Sequence, residues 1–158
     1  MIEKGNTQII AEMIASYTGG ELFHIERSTP YPSVYRDCTD EAQREKNANA
    51  RPDLKEDIDI SPYDTIYLGY PIWWADLPMP VYTFIESHNE SHDWDGKKVI
   101  PFCTHEGSAM AGTDSTLRSK LSGANVLSGL AIRGATAQND RTAADNAVKN
   151  FLTGAGLI

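Results

Sequence analysis

The sequence predicts an α/β domain, a doubly wound parallel sheet with helices on both faces in three layers, α/β/α, occupying residues 1–158 as a single domain. Two observations predict it. Apolar runs of strand length alternate with stretches of helical periodicity along the chain. With 158 residues, the chain is long enough for one proper hydrophobic core and too short for two domains of ordinary size.

The elements follow in order. Ile9, Ile10, Met13, Ile14 and Tyr17 recur at helical spacing and Gly19-Gly20 stops them, so residues 5–17 read as an amphipathic helix capped near Asn6 or Thr7. ELFHIER, residues 21–27, alternates like a strand. A long connection rich in Pro, Tyr, Asp and Asn follows, with a short helical stretch near 39–47. DTIYLGY, residues 64–70, is the next strand and has buried character; PIWWADLPMP interrupts it before VYTFIES continues as a helix. KKVIPFCT, residues 97–104, is a strand leading into the loop HEGSAMAG, and residues 113–121 look helical. NVLSGLAIRG, residues 125–134, reads as one further strand, and residues 142–152 as a final helix that buries Ala147, Val148 and Phe151.

Composition narrows the partners. The formal charge of −8 would repel a phosphate backbone and no basic stripe offsets it, which argues against nucleic acid. Between Asp37 and Asp64 nine acidic residues face four basic ones; this is a solvated face, or a docking surface for a basic redox partner. No apolar run approaches the roughly 18 residues of a membrane span, and the N-terminus lacks the apolar core of a signal peptide. Cys38 and Cys103 are too few for a disulfide framework, so a reducing, cytoplasmic setting is expected. His88 and His92 lie four apart, but the Asn, Ser, Asp and Gly around them suggest a loop end, and no metal site is expected. No acid–base pair stands out, and no catalytic residue is assigned.

In sheets of this kind ligands bind beyond the carboxyl ends of the strands. Three segments fall there. Gly5, Asn6 and Thr7 open a helix, where free backbone amides form a natural anion site, although the same tripeptide also makes a plain cap. Pro71, Ile72, Trp73 and Trp74 follow a buried strand; the two indoles cannot both enter the same core, and they suit either a platform for a planar ring or one buried and one surface position. Thr104, His105, Glu106, Gly107 and Ser108 carry small and polar groups that let backbone approach a polar ring edge, or form an ordinary turn.

The segments YDTIYLGYPIWWADLPMPVYTFIE, GKKVIPFCTHEGS and SGLAIRG closely resemble the flavodoxin-like family of small bacterial FMN proteins, over nearly the whole chain. The resemblance implies FMN as cofactor. It places Gly5, Asn6 and Thr7 at the phosphate, Pro71–Trp74 along the isoalloxazine and Thr104–Ser108 at its edge. It also implies an apolar strand and a Ser/Thr-x-Thr run before Gly5, where this sequence has only Met1, Ile2, Glu3 and Lys4. In a sheet of order 2-1-3-4-5 that strand is central. A truncated or misassigned start is the expectation; a strand from elsewhere, or a sheet closed differently, are the alternatives. The expected function is electron transfer to a redox partner protein or a small-molecule acceptor. The alternatives are an FMN-dependent NAD(P)H:quinone-type reductase, which implies a homodimer, and a cofactor-free binding module.

Overall fold

The computed structural model describes residues 5–158; the expectations that fall on Met1–Lys4 lie outside them. The elements are α1 (Asn6–Thr18), α2 (Tyr35–Asn47), β1 (Thr65–Pro71), α3 (Met79–Asn89), β2 (Lys98–His105), α4 (Thr113–Lys120), β3 (Asn125–Val126), β4 (Leu130–Arg133), α5 (Gly134–Asn139) and α6 (Arg141–Gly154). The described strands form one parallel sheet in which β2 pairs with β1 on one side and with β3 and β4 on the other. The single strand expected over 125–134 is thus two short ones, and Gly129 between them shows why. A Cβ there would sit 2.6 Å from the Pro101 carbonyl oxygen, so the chain passes β2 too closely for a side chain.

Strand parity sorts the core into two layers. Leu68 and Tyr70 of β1, with Val99 and Cys103 of β2, pack against α3, Leu117 and Trp94. Phe102 and Ile132 turn to the other face, against Ile10 and Ile14 of α1, Ala137 of α5, and Val148 and Leu152 of α6. The predicted three-layer α/β/α arrangement is therefore present. Helix α1 ends where Gly19 takes a left-handed φ of 73° and its N–H caps the Ala15 carbonyl, as the Gly-Gly signal implies. None of the helices is long and apolar enough to cross a membrane, among the described residues.

The strand expected over residues 21–27 forms only an isolated antiparallel bridge, Arg27 with Leu54. Its alternation is present nonetheless. Phe23 stacks on Phe84 with centroids 6.0 Å apart and Ile25 packs on the same core, whereas Leu22 is 58% exposed. What it lacks is a ladder. A cavity of about 1480 Å³ is lined by Phe23 and Ile25 of this stretch and by Tyr67 and Gly69 of β1.

Candidate functional site

Helix α1 begins beside the carboxyl end of β2. Gly5 caps it with extended backbone (φ −67°, ψ 158°), its carbonyl accepts from the Ile9 amide at 3.1 Å, and no side chain caps the first turn. The amides of Asn6, Thr7 and Gln8 therefore have no intrahelical acceptor and present the positive end of the helix dipole. Asn6 Oδ1 is buried without a hydrogen-bond partner. Gly134 is the reason Asn6 fits, since a Cβ there would lie 2.4 Å from Asn6 Nδ2 and 2.9 Å from Glu106 Oε1. The hydroxyls of Thr7 and Thr104 share a hydrogen bond of 2.8 Å, which ties the helix start to the strand end.

Beyond β1, the Ile72 amide donates to the Thr104 carbonyl at 2.9 Å and extends the ladder by one residue. The chain then reverses through Trp73–Asp76, closed by Trp73 N–H to the Asp76 carbonyl at 3.0 Å and Asp76 N–H to the Trp73 carbonyl at 3.1 Å. Trp74 and Ala75 both have positive φ, 52° and 60°. This is the geometry of a type I′ turn built without glycine, and each such residue stores roughly 1–2 kcal/mol. Asp76 holds the turn from below, its Oδ1 accepting from the Leu77 amide at 2.7 Å and the Tyr82 hydroxyl at 2.6 Å.

The turn sends the two indoles apart. Trp73 faces the cavity and meets Tyr31 edge-on at 5.1 Å between centroids. Trp74, 43% exposed, leans on α2, where its Nε1 donates to the Thr39 carbonyl at 2.8 Å and Lys46 Nζ donates to its carbonyl. Tyr31 is fixed in turn. The Arg27 guanidinium lies 3.7 Å over its ring, and its hydroxyl donates to Glu45, which together with burial pushes its pKa upward, burial being the larger cause. Arg27 also pairs with Glu41 at 2.8 Å and Glu45 at 3.2 Å, so part of the acidic surface is spent internally.

At the end of β2, His105 Nδ1 accepts from the Gly107 amide at 2.9 Å. Burial, reinforced by the Arg133 charge, lowers the His105 pKa below its usual value. The loop onward is left-handed at Gly107 (139°), Ala109 (54°), Ala111 (51°) and Gly112 (76°). Thr113 Oγ1 donates to the Met110 carbonyl at 2.6 Å and so accepts from the Tyr70 hydroxyl at 2.8 Å, which anchors the loop to β1. Beneath the loop the Cys103 thiol is buried, with its pKa pushed up to about 11 by that burial.

Gly5, Asn6, Thr7, Pro71, Trp73 and Thr104 therefore line one cavity, and Asn6 and Glu106 also line a smaller one of about 360 Å³ with Gly134. Ile72 turns into the α3-side core and Trp74 onto α2, while His105 at the end of β2 and Glu106, Gly107 and Ser108 of the loop after it do not line the larger cavity. His88 and His92 do not share a site. His88 is 5% exposed between Asp57 and Asp93, at 2.9 and 2.8 Å, whereas the His92 side chain is 82% exposed beside Asp95. Sequence reasoning missed Tyr31, Arg27 and Gly134. Tyr31 and Arg27 become neighbours of Trp73 only through the irregular 28–34 segment, which carries no periodicity; Gly134 offered only its place after a strand.

A family model described as flavodoxin matches residues 2–149. The chain belongs to the flavodoxin family. Among solved structures, it is similar to a candidate flavoprotein from Bacteroides eggerthii, with 29% identity and a TM-score of 0.76, covering 96% of this chain and 91% of that one. A second, from Bacteroides uniformis, has 29% identity and a TM-score of 0.75, covering 94% and 93%. A flavoprotein from Lactobacillus acidophilus in complex with FMN shares the flavodoxin fold at 24% identity and a TM-score of 0.66, covering 86% and 90%. No curated protein matches the chain.

Proposed function

We propose that this flavodoxin binds one FMN at the carboxyl end of its sheet and acts as a cytoplasmic electron carrier. The observation that carries the reading is the Thr7–Thr104 hydrogen bond, which brings the start of α1 and the end of β2 into the cavity that Pro71 and Trp73 also line. The donor set fits the cofactor. Amides of Asn6, Thr7 and Gln8, free of intrahelical acceptors, suit a phosphate; Trp73 and Pro71 offer apolar surface to a planar ring; the 104–108 loop offers backbone and hydroxyl groups to a polar edge. A related protein of the same fold is known in complex with FMN, in support.

Bound flavin takes up and releases electrons; the chain's part is to bind, orient and shield it. The groups whose protonation the site perturbs all move away from neutrality: His105 downward, Cys103 up to about 11, Tyr31 upward. The acidic excess from Asp37 to Asp64 supports a basic redox protein as partner.

Titrating purified protein with FMN and following flavin fluorescence tests the binding; saturation at one FMN per chain is expected, and unchanged fluorescence at excess protein defeats the reading. Steady consumption of NADPH with a quinone, at rates typical of enzymes, would replace the carrier by the reductase.

A further inference from the structure

Residues 28–31 belong to no helix or strand, yet they are wound about one side chain. The Arg27 guanidinium donates through Nε to the Thr29 carbonyl and through Nη2 to the Pro30 carbonyl at 3.1 Å, and it covers the Tyr31 ring. Its other partners are Glu41 and Glu45 on α2. The backbone of Arg27 is pinned as well. It bridges Leu54, with the Ser28 amide donating to the Asp53 carbonyl and the Lys55 amide to the Glu26 carbonyl, both at 2.8 Å. The Arg27 side chain is 9% exposed and that of Glu45 13%. Desolvation offsets most of the attraction in an ion pair so buried, so its stabilising effect is small; a planar fork with its partners in place fixes a geometry instead. Tyr31 passes that geometry on. Its hydroxyl donates to Glu45, and its ring meets Trp73 at 90° with centroids 5.1 Å apart. An edge-to-face contact engages at most one face of the indole, which leaves at least one free of Tyr31.

We propose that Arg27 and Tyr31 are positioning residues for the isoalloxazine ring: Arg27 templates the 28–31 segment, and Tyr31 holds Trp73 so that a free indole face is presented to the flavin. The inference rests on the flavin reading of the site and deepens it. Its consequence is a redox bias. An indole face carries the negative side of the ring quadrupole, so it favours the electron-poor oxidised isoalloxazine over the electron-rich reduced one. A clamped indole keeps that preference, and an indole free to turn away loses part of it. The charge of Arg27 is met by Glu41 and Glu45, so its influence on the flavin runs through the placement of Trp73 rather than through its own field.

The test compares Tyr31→Leu, Tyr31→Phe and Arg27→Lys with the wild-type chain. It reads the affinity for oxidised FMN, the midpoint potential of the bound flavin, and the near-ultraviolet circular dichroism of the flavin-free protein. Tyr31→Leu removes the ring edge and should lose about fivefold in affinity for oxidised FMN, the worth of one aromatic pair. Reduced FMN should lose less, so the potential rises. Tyr31→Phe keeps the edge and should restore both values. Arg27→Lys keeps the charge but not the planar fork, and should follow Tyr31→Leu. Without flavin, the indole bands should weaken in Tyr31→Leu and Arg27→Lys but not in Tyr31→Phe. Unchanged affinity in Tyr31→Leu overturns the proposal. So does an equal loss in both redox states, which leaves the potential where it was and marks a merely structural role, and so does an Arg27→Lys protein that behaves as wild type. If the wild-type chain takes up no FMN, the flavin reading fails, while the indole bands still decide whether Arg27 and Tyr31 hold Trp73.

Discussion

Gly69 and Phe102 are register partners across β1 and β2, and the phenyl ring lies where a side chain at 69 would stand. A Cβ on Gly69 would come within 2.1 Å of the ring, so the ring or the strand must shift. Gly69→Ala is therefore an overpacking change, expected to cost about 1–3 kcal/mol and measurable as an earlier urea midpoint at unchanged m. His105 gives a pH-dependent counterpart. Its folded pKa lies below the unfolded value near 6.5, so the unfolded chain binds the proton first. The contribution is complete above about pH 6.5 and is lost as pH falls through that value. Wild type should lose more stability than His105→Gln between roughly pH 7 and pH 5.5, and equal losses would remove His105 as a source.

At the scale of elements, the 73–76 turn shows what sequence discloses. That the strand ends at PIWW was legible, because proline and two large aromatics break a buried run. Which indole goes where was not, since it depends on left-handed backbone at Trp74 and Ala75, residues that seldom adopt it. Ala75→Gly should relieve that strain and, after the added chain entropy of glycine, stabilise the fold by about 0.5–1 kcal/mol. A thermal scan reads the gain, and a lower Tm would mean that the turn is held by something other than its backbone. Helices α1, α3, α4 and α6 were read within a few residues from period and caps; α5 was not anticipated, and α2 starts at Tyr35 rather than near Thr39 because only Ala42 on it is buried, leaving little apolar pattern to follow. Residues 21–27 were given the right alternation and the wrong consequence. Alternation reports a buried face, whereas a strand also needs a neighbour.

For the molecule as a whole, the three-layer arrangement was legible because parallel strands buried on both faces leave long apolar runs. The assembly of the site was only partly so. Segments at strand ends could be named, but Gly134, which lets Asn6 approach, and the Arg27–Tyr31 pair, which holds Trp73, depend on contacts between parts of the chain far apart in sequence. The acidic residues from Asp37 to Asp64 were likewise read as a solvated face or a docking surface, although Glu41 and Glu45 among them serve Arg27.

The one-sided pairing of β1 has a consequence in time as well as in shape. Its even-numbered amides, Ile66, Leu68 and Tyr70, are locked to β2, which itself has neighbours on both sides. The amides of Thr65, Tyr67 and Gly69 have no strand partner among the described residues. Hydrogen–deuterium exchange followed residue by residue should therefore show a two-residue beat along a single strand, slow at even positions and fast at odd ones, over a uniformly slow β2. Uniform protection along β1 in the purified protein would mean that its second edge is already covered in solution.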